Sequence, residues 1–124
     1  FGPMDTVPKK FSDRNLYQHN PTVTLMRTTV DENIEIGSKL AEKLNMAVDK
    51  TILMLPLGGV SGIDMPGQPF YGKEEDEALF ETLRKKVNKE TVEILEMAQN
   101  INDPVFGETA AKKLIELMEA KRES

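Results

Sequence analysis

Three β-prone segments, each followed by a helical pattern, constrain this chain more than any other feature. Thr22–Arg27 (TVTLMR) alternates, with Val23 and Leu25 on one face. Thr51–Leu55 (TILML) is a continuous apolar run bounded by Lys50 and Pro56, the pattern of a strand covered on both faces. Thr91–Met97 (TVEILEM) is a third strand, less buried because Glu93 and Glu96 interrupt it. Thr29-Val-Asp-Glu32 has capping-box spacing, so a helix is predicted to about Met46, with Ile36, Leu40 and Leu44 as its buried stripe. Glu74–Val87 is the second helix, buried through Leu79, Phe80, Leu83 and Val87. Its acidic start and basic end complement the helix dipole. Asp103 as N-cap and Pro104 at the first helical position open a third, with Phe106, Ala110, Leu114, Leu117 and Met118 facing the core. The β-α-β-α-β-α order predicts an α/β fold, a Rossmann-like parallel sheet with right-handed crossovers and helices on its faces. Residues 1–21 read as an irregular lead-in and 22–124 as three βα units.

Composition excludes several classes of function. The chain has 124 residues and a net charge of −5, so no basic surplus exists for direct nucleic-acid binding. It has no cysteine, hence no disulfide framework, no thiolate metal site and no Cys nucleophile. A reducing, cytoplasmic setting is the expectation. No apolar run approaches the roughly 20 residues of a membrane span, so no membrane partner is expected.

In an open parallel sheet, ligands bind beyond the carboxyl ends of the strands. The first strand ends in Arg27-Thr28-Thr29, and the third runs into Ala98–Asp103, which includes Asn102. The second ends in Pro56–Tyr71, where four glycines and three prolines fall within sixteen residues. A loop of that composition is usually there to hold something. Gly58, Gly59 and Gly62 offer backbone N–H groups to a phosphate or carboxylate, with plain turn geometry as the alternative. No Lys-Ser/Thr follows, so the loop is not a P-loop, and G-x-G-x-x-G is absent.

Arg27 suits bidentate contact with an anion, or a surface ion pair. Asp64 is a candidate base or ligand contact, or orders its own loop through an Asx turn. Ser61 sits one glycine out of the G-x-S-x-G frame that a nucleophile elbow needs. Asp103 is first of all a cap. His19, the only histidine, is a weak candidate base, because it precedes the first strand and falls at the other sheet edge. One histidine and no cysteine make a zinc site of the usual kind improbable, and no metal is expected.

Three blocks together resemble the carboxyl-terminal part of the Tm-1-like (UPF0261) proteins: Arg14–Thr29 (RNLYQHNPTVTLMRTT), Leu55–Tyr71 (LPLGGVSGIDMPGQPFY) and Asn100–Pro104 (NINDP). The resemblance covers nearly the whole chain in matching order. It implies the last portion of a protein of two α/β domains, with Phe1 lying inside a longer polypeptide. It also implies ATP as a ligand of the amino-terminal domain, dimerisation, and in plants the blocking of viral RNA replication. It carries over no catalytic residues.

Three functions compete. The leading one is a ligand-binding α/β module in which Arg27, Thr28, Thr29, Gly58–Asp64, Asn102 and Asp103 contact a small polar or phosphorylated molecule beside the missing amino-terminal domain. The second is a hydrolase or lyase with Asp64 as base and Arg27 holding the substrate. The third is an interaction or homodimerisation module presenting Met65, Pro66, Phe70 and Tyr71.

Overall fold

A strand needs a partner for its backbone, and the first predicted strand finds one inside the lead-in. The structure, a computed structural model, describes every residue from Phe1 to Ser124. Two short 3-10 turns, Met4–Thr6 and Lys9–Phe11, precede β1 (Leu16–Asn20), which pairs antiparallel with β2 (Val23–Met26). The Asn20 carboxamide oxygen accepts from the Thr22 N–H at 2.9 Å and fixes the connecting turn. Residues 16–20 are therefore a strand, where the sequence predicted irregular chain.

Then follow α1 (Val30–Leu44), β3 (Thr51–Pro56), α2 (Lys73–Lys86), β4 (Val92–Met97) and α3 (Pro104–Glu123). β3 and β4 pair in parallel, from Thr51 opposite Val92 to Pro56 opposite Met97. The expected three-stranded Rossmann-like sheet is not what forms. β2 pairs with β1 instead of β3, so the α/β fold contains an antiparallel hairpin and a separate two-stranded parallel sheet. No helix is long and apolar enough to cross a membrane.

The helix starts match their sequence signals. Thr29 and Glu32 form the capping box, with Glu32 N–H to Thr29 Oγ1 at 3.2 Å and Thr29 N–H to Glu32 Oε1 at 2.9 Å. Asp103 caps α3 through the Val105 N–H at 2.9 Å, ahead of Pro104.

The core is one cluster: Ala41 from α1, Leu55 from β3, Phe80 and Leu83 from α2, Val87, and Val92 from β4. Two expected stripes need correction. α1 buries Asn33, Gly37 and Ala41, while Ile36 and Leu40 face outward. Its neighbour is α2, and only small residues allow that approach: a Cβ on Gly37 would lie 3.0 Å from Thr82 Cβ. α3 buries only Phe106, and Leu114 and Met118 of its predicted stripe are each 58% exposed. α3 contributes no side chain to the core cluster.

Candidate functional site

Arg27 stands directly after β2, where the strand has brought it under the loop between β3 and α2. It is buried, so its guanidinium must find partners within the protein. Nε donates to the Phe70 carbonyl at 3.0 Å. Nη2 donates to Asp76 Oδ1 at 2.7 Å and to the Gly72 carbonyl at 3.4 Å, with Asp64 Oδ1 also at 3.4 Å. Nη1 meets only the Thr28 hydroxyl, at 3.3 Å.

Asp64 is only 1% exposed. Its Oδ2 accepts from the Val60 N–H at 3.1 Å and its Oδ1 from the Gly72 N–H at 3.2 Å. One carboxylate therefore closes the loop on itself from both ends. These are not the bonds of an Asx turn, which would need the N–H two residues on, where Pro66 has none.

Asp76, one turn into α2, is the residue the sequence reading did not single out. It looked like one member of the acidic run Glu74–Glu77 that favours a helix start. No local signal marked it: a buried arginine requires carboxylate partners, but the burial of Arg27 is itself set by the fold. Burial, followed by its hydrogen bond to the Asp64 carboxylate, pushes its carboxyl up to about 7, against the pull of Arg27. Two buried carboxylates and one guanidinium leave one negative charge too many for a dry site.

Two cavities flank this cluster. One, of about 230 Å³, lies at the end of β2 and is lined by Arg14, Asn15, Arg27, Thr28, Thr29, Tyr71, Gly72 and Glu75 among others. Arg14 is held there by Glu32 and the Arg27 carbonyl. The Thr29 backbone N–H, with Arg14 behind it, holds the Glu32 carboxyl below its ordinary value. The other cavity, of about 340 Å³, lies between the loop and α2, with Leu57, Tyr71, Lys73, Asp76, Phe80 and Arg84 in its walls. A third, of about 330 Å³, sits between Asp49–Lys50 and the end of α3, remote from this cluster, and is mainly apolar.

The glycines face the β4–α3 connection. A Cβ on Gly58 would meet Asn100 N at 2.5 Å, and one on Gly59, at φ 123°, would meet the Asp64 carbonyl oxygen at 1.9 Å. The Gly58 N–H donates to Gln99 O and the Gly59 N–H to Pro56 O. Both donors are thus engaged inside the chain. The Asn100 side chain donates to the carbonyls of Ser61 at 2.9 Å and Gly58 at 3.2 Å. Asn102 lies exposed beside Gly62, and Asp103 is occupied as a cap. Ser61 receives the Ile63 N–H at 3.4 Å.

The three predicted loops therefore meet in series. Arg27 meets Asp64, Phe70 and Gly72, while Gly58, Gly59 and Gly62 meet Asn100 and Asn102. His19 lies exposed on β1, outside the cavities that flank Arg27. Phe70 is buried, edge-on to Tyr17, and is not presented to a partner as the interaction reading expected. Met65 and Tyr71 are exposed. No group of His, Asp and Glu side chains is arranged to hold a metal ion.

Comparison with known proteins agrees with the resemblance. The family model described as the C-terminal domain of the uncharacterised protein family UPF0261 matches residues 1–118. A UPF0261 protein of Clostridium tetani is 60% identical over 96% of this chain, and the aligned part is 30% of that relative. The ToMV resistance protein Tm-1 of Solanum lycopersicum is 37% identical over 98% of this chain, which spans 16% of its length. With a family model covering most of its residues, the chain belongs to the UPF0261 family, within that family's carboxyl-terminal domain.

Proposed function

We propose that this region is a ligand-binding α/β module whose ligand, a small polar molecule, occupies the cavity at the carboxyl end of β2. The observation that carries the reading is the convergence of Arg27, Thr28, Thr29 and Asn15 on one polar cavity, over a buried network that fixes Arg27. Such pre-ordering lowers the entropy cost of binding. Both arginines of the cavity already face carboxylates, Glu32 for Arg14 and Asp76 with Asp64 for Arg27. A neutral ligand rich in hydroxyl or carbonyl groups therefore suits the cavity better than a phosphate, which would add uncompensated charge.

The test is a melting-temperature survey of the complete protein with polyols, carboxamides, inorganic phosphate and nucleotides. The expected result is a rise with a neutral polar compound that is lost in Thr28→Val or Asn15→Ala, each variant being compared with its own unliganded melting temperature. No rise with any compound at millimolar concentration would reject the reading.

A second reading, docking of another protein surface, is favoured by a different observation. Ile36 and Leu40 on α1 and Leu114, Ile115 and Met118 on α3 are all substantially exposed. Relatives that carry this region are several times longer, so further chain is available to cover such faces. Limited proteolysis of the complete protein separates the cases: α3 resists cleavage if covered and is cut if it is not.

A further inference from the structure

The loop from Leu57 to Gly72 is closed by very few side chains, and those that matter most are charged. Asp64 takes the N–H groups of Val60 and Gly72, and Arg27 takes the carbonyls of Phe70 and Gly72. Every one of these bonds depends on Arg27 and Asp64 remaining where they are. Asp76 reaches the same Nη2 as Asp64 does, from α2. We propose that Arg27, Asp64 and Asp76 form a proton-operated latch: with one proton shared between the two carboxylates the loop is held onto β2 and α2, and loss of that proton loosens it.

The charge count makes the latch work. With the proton present, the Asp76 carboxyl donates to the Asp64 carboxylate and the cluster is neutral around Arg27. Without it, two carboxylates confront one guanidinium in a site from which water is largely excluded. Other charges near Asp76 do not compensate. On its own helix, Lys73 makes no ion pair with Asp76, and Glu75 and Glu77 add further negative charge. Across the cavity, Arg84 is engaged by Glu77, Glu81 and Glu96. The helix N-terminus helps little, because the Asp76 N–H already donates to the Gly72 carbonyl. Other anchors of the loop stay in place, among them the buried Phe70, the Asn15 bond to the Pro69 carbonyl and the Asn100 bonds to the Gly58 and Ser61 carbonyls, so loosening stops short of unfolding. The latch does not depend on any bound ligand.

Amide hydrogen exchange of the complete protein, corrected for the intrinsic pH dependence of exchange, tests this at Val60 and Gly72. Their protection is expected to be highest below about pH 3.8, to fall by up to roughly tenfold per pH unit as pH rises toward about 7, and to level off above that, as one released proton requires. Asp76→Asn keeps a neutral donor against Asp64 and should show high protection at every pH. Flat wild-type protection from pH 5.5 to 8.5, or pH dependence retained in Asp76→Asn, overturns the latch. If that variant fails to fold, carboxyl-carbon NMR of the unaltered protein decides: titration of Asp76 near neutral pH supports the latch, and titration below about pH 5, in the ordinary carboxylate range, overturns it.

Discussion

Gly59 and Asp64 touch through their backbones: a Cβ on Gly59 would stand 1.9 Å from the Asp64 carbonyl oxygen, and Gly59 has φ 123°. Both the conformation and the space exclude a side chain. The strained conformation alone costs of order 1–3 kcal/mol for a non-glycine residue, and the clash adds to it. Gly59→Ala is therefore expected to lower unfolding free energy by about 3 kcal/mol or to open the loop. Gly67 provides the control. Its φ is 86°, but a Cβ there meets nothing within 4 Å, so Gly67→Ala should cost only about 1 kcal/mol. Urea denaturation measures both, and equal costs would reject the argument.

Asn100 carries a prediction of its own. Its carboxamide joins the β4–α3 connection to the β3–α2 loop through Gly58 and Ser61, and its Oδ1 accepts from the Asn102 N–H at 2.9 Å. Asn100→Ala removes the donor to the Gly58 carbonyl and leaves the Ser61 carbonyl with the Asp64 N–H alone. The expected loss is about 1–3 kcal/mol. Asn100→Asp should be no better than alanine, since a carboxylate cannot donate to either carbonyl. A fully stable Asn100→Asp variant would show that this bridge contributes little.

The sequence made the elements legible and left their assembly hidden. β3, β4 and all three helices lie where period, capping and charge placed them, because those signals are local. β1 escaped notice because Leu-Tyr-Gln-His-Asn has no apolar alternation, and its strand character comes from pairing with β2. Which strand β2 would join is a long-range matter that no local pattern encodes. The outward Ile36 and Leu40 mislead for a related reason. A helix with apolar residues around much of its circumference does not announce which face meets its neighbour, and Gly37 decided it by size. At the site, Arg27 and Asp64 were visible as unusual residues at strand ends. Asp76 was not, because its neighbours are acidic too.

The α1 register is checked by paired substitutions. Ala41 is 1% exposed in the core cluster and its neighbour Leu40 is 43% exposed. Ala41→Leu must force the core apart and is expected to cost about 1–3 kcal/mol. Leu40→Ser, facing outward, should change stability by no more than about 0.5 kcal/mol. If helix α1 instead buried the stripe of Ile36, Leu40 and Leu44, the two effects would be reversed. In the complete protein, a large cost for Leu40→Ser together with a large cost for Ala41→Leu would mean that both faces of α1 are covered.

Two carboxyls give stability opposite dependences on pH. Asp76 is raised from 3.8 to about 7 in the folded protein, so the native state holds its proton more tightly than the unfolded chain does. That contribution is fully present below about pH 3.8 and is lost as pH rises through about 7. Glu32 is lowered by the Thr29 N–H and Arg14, so its contribution is present above its ordinary value of 4.5 and is lost as pH falls below it. The melting temperature should therefore pass through a maximum between the two ordinary values, 3.8 and 4.5, decline toward pH 7 and level off above it. A single proton limits that decline to about 1.4 kcal/mol per pH unit. Asp76→Asn should flatten the alkaline side and Glu32→Gln the acid side, each leaving the other limb in place. Wild-type stability that climbs steadily from pH 5 to pH 8 would show that Asp76 enters the fold as an ordinary carboxylate paired with Arg27.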